Sequence, residues 1–117
     1  QMAAVLVGFD AEWQTGTGEN SVLSYHWYGI DGTRHWSGIY YPEQDKPEDK
    51  RRLKLHQWVS FALQYQYKGR AWPTRIVMAG HFTPAEMSTI ADFGTYKRRF
   101  DIILLPFSVT IPANIAL

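Results

Sequence analysis

A tight turn between two aromatic runs limits the folds open to this chain. Residues 31–33 read Asp-Gly-Thr, and they separate the run SVLSYHWYGI at 21–30 from the run RHWSGIYYP at 34–42. Asp-Gly is typical of hairpins because glycine readily takes the positive φ of such turns. Upstream, residues 3–13 are mostly apolar or β-branched and predict a strand buried on both faces, while segment 15–20 predicts a loop. The chain is therefore predicted to begin with an antiparallel meander of three strands.

Beyond this meander, the sequence alternates helical and strand patterns. Residues 43–54 form a charged linker with a proline and acids suited to a helix start, and apolar residues at spacings of three and four then predict a helix that ends at Gly69. Residues 74–82 predict a fourth strand. Segment 83–100 opens with a threonine cap and a proline, and it predicts a second helix. Residues 101–111 predict a fifth strand, or a strand bent at its proline.

The resulting element order is β-β-β-α-β-α-β. Because crossovers between parallel strands are right-handed, the last strands are expected beside the first strand, not beside the outer strand of the hairpin. We therefore expect a single α/β domain over residues 1–117, with a mixed five-stranded sheet of order 3-2-1-4-5 flanked by helices. This is the outline of the ribonuclease H-like fold, and a fold alone does not give a function.

Composition excludes several classes of protein. The chain has 117 residues, of which 45% are hydrophobic and 15% aromatic, which is typical of one globular domain. A net charge of +1 excludes a polycationic nucleic-acid coat. The absence of cysteine excludes disulfides, thiolate zinc sites and cysteine nucleophiles, and it is compatible with a reducing compartment, so we expect a cytoplasmic protein. No apolar run approaches the roughly 20 residues of a membrane span, so no membrane partner is expected.

Acidic residues follow two strands that the predicted topology makes parallel neighbours. Asp10 and Glu12 stand at or near the end of the first strand and, as residues i and i+2, point to the same face. Glu86 stands in the first turn of the helix after the fourth strand. Open α/β sheets usually bind ligands at the carboxyl ends of such strands. Three clustered carboxylates repel one another unless a cation binds, and oxygen ligands suit Mg²⁺ or Mn²⁺. Two such ions can position and activate water for attack on a phosphodiester.

Two motifs add a resemblance to a known family. The segment FDAEW at 9–13 resembles the first motif, Asp-x-Glu at the end of the first strand, of the DEDD (proofreading-type) 3′–5′ exonuclease superfamily. The segment AGHFTPAEMSTI at 79–90 is similar to the second motif of that superfamily, with Glu86 where the family has Asp. The element order is similar over essentially the whole chain. Within the superfamily, the chain most resembles exonuclease domains of family B-like DNA polymerases from mobile elements.

The resemblance implies an enzyme that hydrolyses DNA from the 3′ end of a single strand with two Mg²⁺ or Mn²⁺ ions. It implies that Asp10 bridges both metal ions, that Glu12 binds the ion holding the nucleophilic water, and that Glu86 binds the second ion directly or through water. Trp13 is expected to stack on a terminal base, as aromatic side chains do with single strands, and His81 to line the substrate site. The implied partners are single-stranded DNA and the rest of a larger polymerase or nuclease chain.

The sequence departs from the family pattern in two ways. Glu86 is one methylene longer than the family's Asp, which alters the expected metal geometry. The last motif of the family, a Tyr or His followed by Asp on a helix after the fifth strand, has no counterpart. Asp92 lies on another side of the predicted helix from Glu86, and Asp101 begins the fifth strand at the opposite end of the sheet. We therefore expect the chain to be truncated before its last helix, with a final catalytic Asp beyond Leu117.

Alternatives stay open at this point. The chain could be a catalytically inactive ribonuclease H-like module for nucleic-acid binding or assembly, or another nuclease or transposase of the same fold. Glu86 alone is explained by the favourable position of an acid in a helix first turn, Trp13 by a core role and His81 by a supporting hydrogen bond. The basic runs at 49–52 and 96–100 are either solvated helix faces or phosphate contacts.

Overall fold

The computed structural model describes residues 4–15, 21–96 and 101–104. Its strands are β1 (Ala4–Gln14), β2 (Ser21–Asp31), β3 (Arg34–Tyr40), β4 (Arg75–Gly80) and β5 (Asp101–Leu104). Its helices are α1 (Glu48–Arg51), α2 (Leu55–Leu63), α3 (Pro84–Met87) and α4 (Phe93–Tyr96). The predicted alternation of three strands, then helix and strand, is therefore present in the described part of the chain.

The sheet is mixed. β1 pairs antiparallel with β2 and parallel with β4, and β2 pairs antiparallel with β3. The β2–β3 turn has Gly32 at φ 61°, which confirms the predicted hairpin. The α/β class and the strand order 3-2-1-4 are also confirmed. The backbone of β5 runs parallel to β4, with Asp101 opposite Val77.

One face of the sheet carries the hydrophobic core. Alternate residues of β1 are buried there, and the ring of Phe9 contacts the ring of Trp58 with centroids 4.9 Å apart. α2 contributes five buried residues to the same core: Leu55, Trp58, Val59, Ala62 and Leu63. The opposite face of β1 includes the exposed Asp10 and Glu12, so the prediction of burial on both faces is wrong. The reason is that α2 packs against the face that carries Phe9.

Two tryptophans of the hairpin lie over glycines of the neighbouring strand. Gly29 pairs with Trp36, and Trp27 pairs with Gly38. A Cβ atom on either glycine would come within 2.3 Å of the facing indole, so only glycine fits. The Trp36 Nε1 donates to the Ala62 carbonyl of α2 at 2.8 Å, and the Trp27 ring stacks on Phe61. These contacts fasten the hairpin to α2.

A bulge in β2 changes which residues face the core. The register shifts between Glu12 and Trp13, so that Val22 is opposite Trp13 and one extra residue, Leu23, is accommodated. β3 pairs with β2 only over residues 25–31. Val22 precedes this range, and its backbone bonds to side chains instead of to β3. Its N–H donates to Glu48 Oε1 at 3.3 Å, and its carbonyl accepts from Gln44 at 3.2 Å.

Glu48 also explains the basic run at 49–52. Arg51 Nη2 lies 2.7 Å from Glu48 Oε2, and Arg52 Nε lies 3.1 Å from Glu48 Oε1. Arg51 further donates to Ser21 Oγ at 3.1 Å. Arg51 and Arg52 are therefore partly buried ion-pair partners of Glu48, so they are not a solvated helix face, whereas Lys50, between them and Asp49, is exposed.

Both predicted helices are interrupted. The first breaks between α1 and α2 because residues 52–54 are extended, and Leu53 there forms a parallel bridge with Ile90. The second begins at the predicted cap, where Thr83 accepts from the Glu86 N–H at 3.2 Å, but α3 ends at Met87. Just beyond, the Thr89 hydroxyl donates to the Glu86 carbonyl at 2.6 Å, and such side-chain bonds compete with helix hydrogen bonds.

Three predictions fall wholly or largely outside the described residues: the loop at 16–20, the basic run at 97–100 and the fifth strand beyond Leu104. In the part of the chain that is described, no helix has the length and apolar character needed to cross a membrane.

Candidate functional site

Asp10 and Glu12 lie where β1 extends past the end of β4. β1 pairs with β4 only as far as Gly8, and β4 ends at Gly80. Both carboxylates are exposed and share the sheet face opposite Phe9. No hydrogen bond or ion pair with another described residue holds either side chain. They are therefore free to change rotamer toward a ligand at this end of the sheet.

Two polar residues of β2 face these carboxylates across the sheet. The register puts His26 opposite Asp10 and Ser24 opposite Glu12. Ser24 is buried, and its Oγ lies 2.9 Å from His26 Nε2, which fixes the position of the imidazole. Sequence reasoning missed this pair, because its position opposite the acids depends on strand register. The hairpin turn at Gly32 sets the register of β2 against β3 only, so it gives no information on the pairing of β2 with β1.

The segment that follows β4 has an unusual backbone. Phe82 has a φ of 48°, which is an outlier for a bulky residue. Its ring stacks on Phe9 at 5.6 Å and contacts Phe93 at 5.2 Å, so packing on both sides maintains this conformation. Strained backbone of this kind concentrates at functional sites. Here the strained residue, Phe82, lies between His81 and the first residue of α3.

Glu86 is the buried member of the carboxylate group. It is 5% exposed, and its Oε1 has no hydrogen-bond partner among the described residues. Burial raises its pKa above the ordinary value, and the charges of Asp10 and Glu12 raise the pKa further. A hydrogen bond from the Phe82 backbone and the proximity of His81 oppose the increase only in part. Glu86 is thus a desolvated acid whose pKa depends on the charges of both exposed carboxylates.

The remaining predicted site residues lie in two different environments. His81 is half-buried near Glu86, and its Nδ1 has no hydrogen-bond partner in the described structure. Trp13 is half-buried and packs against the hydrophobic core, on the face opposite that of Asp10 and Glu12. Asp92 is engaged elsewhere, since its Oδ1 accepts from the Leu55 N–H at the start of α2 at 2.8 Å. The structure therefore brings Asp10, Glu12, Glu86 and His81 toward one end of the sheet.

The donor set fits a hard cation in its chemistry. Three carboxylates offer oxygen ligands, and the unpartnered Oε1 of Glu86 is a buried oxygen still lacking a partner. Across residues 4–15, 21–96 and 101–104, however, no group of three or more acidic or histidine side chains is arranged to hold a metal ion as it stands. Coordination by all three acids would therefore require the exposed Asp10 and Glu12 side chains to turn toward Glu86.

Comparison with known proteins gives no family assignment. No protein-family model matches the chain, and none of the curated proteins matches it significantly.

Proposed function

We propose that this chain is a metal-dependent 3′–5′ exonuclease domain that hydrolyses phosphodiester bonds of single-stranded DNA. The observation that carries the proposal is the buried Glu86 carboxylate, with one oxygen unpartnered and its pKa raised by burial and by Asp10 and Glu12. A desolvated acid beside two further acids is a costly arrangement that a divalent cation would relieve. Perturbed acids of this kind are concentrated at functional sites.

The ribonuclease H-like fold is part of the same proposal. The order 3-2-1-4 and the parallel backbone of Asp101–Leu104 support it. The two sequence motifs, FDAEW at 9–13 and AGHFTPAEMSTI at 79–90, support the narrower assignment to the DEDD superfamily and to a larger polymerase or nuclease.

Each residue has a defined task in this proposal. Asp10, Glu12 and Glu86 would hold Mg²⁺ or Mn²⁺, whose bound form activates water and neutralises charge on the phosphodiester. His81, half-buried beside Glu86, would contact the phosphate or orient the Glu86 carboxylate. Trp13 is assigned to the terminal base, and it would have to leave its packing against the core edge to stack there.

Thermal unfolding with and without Mn²⁺ tests the metal site. A cation that binds only the folded chain adds about 2.7 kcal/mol of stability at a hundredfold excess over its dissociation constant. We expect the midpoint to rise by several degrees in the unaltered chain, and we expect no rise in Asp10→Ala/Glu12→Ala. The matched control is Glu43→Ala/Asp45→Ala, which removes two exposed acids from the segment after β3 and should keep the full response.

The outcome separates the exonuclease from its main alternative. No Mn²⁺ response in any variant, up to millimolar concentrations, would contradict the metal site and favour a module that binds nucleic acid or assembles without cutting. A response retained in Asp10→Ala/Glu12→Ala would place the ion elsewhere. If the expected Mn²⁺ response is observed, the activity itself can be assayed as release of nucleotides from the 3′ end of a single strand. Asp10→Ala should abolish this release.

A further inference from the structure

A second surface with nucleic-acid chemistry lies after α2, away from the carboxylates. The chain turns at Gly69, where φ is 75°, and presents Lys68 and Arg70 on either side of the turn. Both cations are exposed, and Trp72 beyond them is 44% exposed. We call Lys68, Arg70 and Trp72 the basic aromatic surface. Two exposed cations and an exposed indole therefore lie within five consecutive residues of one segment.

The basic aromatic surface rests on a rigid base. Tyr67, which precedes it, is buried, and its ring lies 6.3 Å from the ring of Trp72. The Tyr67 hydroxyl donates to Asp31 at the β2–β3 turn, and the Arg34 guanidinium lies over the Tyr67 ring at 5.1 Å. Trp72 is therefore anchored through Tyr67 to the hairpin, and a ligand that stacks on it pays little ordering entropy.

The charge of this region is not neutralised within the described structure. Asp31 is the neighbouring acid, and it forms an ion pair with Arg34 at 3.0 Å. The hydrogen bond from Tyr67, followed by the hydrogen bond from Arg34 and the charges of Arg34 and Arg70, lowers the pKa of Asp31, so this acid stays ionised. Neither Lys68 nor Arg70 forms an ion pair with a described residue. Segment 64–75 contains no acid at all. The surface therefore favours an anionic partner.

We propose that the basic aromatic surface binds single-stranded nucleic acid, with a base stacked on Trp72 and phosphates held by Lys68 and Arg70. An exposed aromatic platform flanked by cations is how proteins bind single strands without reading their sequence. The surface precedes the first residue of β4, whereas Glu86 follows the last, so this contact is separate from the carboxylate site. It does not depend on the proposed exonuclease activity, because stacking and phosphate contacts need no metal.

Fluorescence anisotropy with a labelled thymidine oligonucleotide of about 16 nucleotides tests the proposal. EDTA is present throughout, and the measurement is repeated in Asp10→Ala/Glu12→Ala, so that failure of the metal site cannot affect the result. Trp72→Ala should weaken binding at least about fivefold, as loss of one stacked base does, while Trp72→Phe should retain most of the affinity. Lys68→Ala/Arg70→Ala should reduce the slope of log affinity against log salt by about 1.4.

The charge control is Lys46→Ala/Lys50→Ala, which removes the same net charge from exposed positions after β3 and in α1. It should lower affinity less than Lys68→Ala/Arg70→Ala does. Equal losses in the two double variants would overturn the assignment, because they would show only general attraction to a basic protein. Absence of oligonucleotide binding at low salt, or unchanged binding in both Trp72→Ala and Lys68→Ala/Arg70→Ala, would overturn it as well. The thermal midpoint of each variant establishes that it is folded.

Discussion

At the scale of single residues, Glu86 is where burial and charge conflict most directly. Thr83 provides the side-chain cap of α3, and the Glu86 carboxylate accepts a hydrogen bond from the Phe82 backbone. Glu86 nevertheless lies 5% exposed beside two other acids. A carboxylate that makes the fold less stable is retained most simply because it serves a ligand, and this is the physical argument behind the proposed metal site.

Glu86→Gln is expected to increase stability at neutral pH. The folded pKa of Glu86 lies above its ordinary value of 4.5, so the native state keeps a proton that the unfolded chain releases at lower pH. Stability is undiminished below 4.5 and falls as pH rises through the folded pKa, by about 1.4 kcal/mol per unit of difference. Glu86→Gln lacks this ionisation, so its stability should not decrease over the same pH range. Urea unfolding from about pH 4 to about pH 8 measures the difference.

Asp45→Asn is the matched control, because it removes one negative charge from an exposed turn and should leave the pH dependence unchanged. If the stability of Glu86→Gln still declines with pH as steeply as that of the unaltered chain, another group causes the decline and the argument for Glu86 fails.

At the scale of elements, the hairpin and α2 are joined by tryptophan side chains that occupy the space above two glycines. Trp27 lies over Gly38 and also stacks on Phe61, while Trp36 lies over Gly29 and donates to the α2 backbone. Aromatic side chains packed over glycine are a known way to stabilise sheets that contain glycine. The consequence is that a methyl group added to either glycine displaces a ring that also contacts the helix.

Gly38→Ala should destabilise the fold by about 1–3 kcal/mol, the usual cost of overpacking. The added Cβ would lie 2.3 Å from Trp27 Cζ2, and moving the indole would disrupt its stack on Phe61. Gly94→Ala in α4 is the control, because nothing lies within 4 Å of its added Cβ and alanine favours helix. Urea midpoints compare the two, and equal stability of both variants would refute the packing argument.

The sequence predicted which strands and helices exist, but it did not predict where the helices end or which distant residues each element contacts. The hairpin followed from Asp31-Gly32, and the cap of α3 from Thr83, because both signals act locally. The bulge at Leu23 could not be predicted, because no local sequence signal marks it, and neither could the bonds of the adjacent Val22 to Glu48 and Gln44, which come from a distant segment. The helix breaks likewise depend on tertiary contacts, which override local propensity.

The same distinction holds for the candidate site. That Asp10, Glu12 and Glu86 would lie near one sheet end followed from strand order and from the parallel neighbours β1 and β4. The burial of Glu86 and the left-handed backbone of Phe82 could not be predicted from sequence. The Phe82 ring packs against Phe9 and Phe93, and such contacts between separate segments depend on the tertiary fold.

At the scale of the whole molecule, one tyrosine joins the sheet to both helical segments. Tyr25 of β2 is fully buried, and its hydroxyl accepts from the Leu53 N–H at 3.0 Å and donates to the Thr89 carbonyl. Burial raises its pKa to about 12, so the hydroxyl remains a donor at any physiological pH. Leu53 also forms a bridge with Ile90, so β2, the segment between α1 and α2, and the segment after α3 meet at this hydroxyl.

Tyr25→Phe is therefore expected to lower the free energy of unfolding by about 1–3 kcal/mol, because it leaves a buried N–H and a buried carbonyl without a partner. Tyr28→Phe is the control, since Tyr28 lies half-buried on the opposite face of β2 and the described structure gives its hydroxyl no partner. Thermal unfolding of both proteins measures the difference. A loss of similar size in Tyr28→Phe would show that the joining role of Tyr25 is not the cause.

The length of β4 determines what a ligand must be to occupy both proposed sites. The six residues Arg75–Gly80 span roughly 17 Å, with the basic aromatic surface before one end and the acidic residues beyond the other. A mononucleotide cannot reach across this distance. When an oligonucleotide spans both sites, binding at the second site is intramolecular. Its strength then depends on the effective concentration set by the first contact, not on the concentration of ligand in solution. Ligand length, rather than base sequence, would then decide how strongly the two ends of the domain act together.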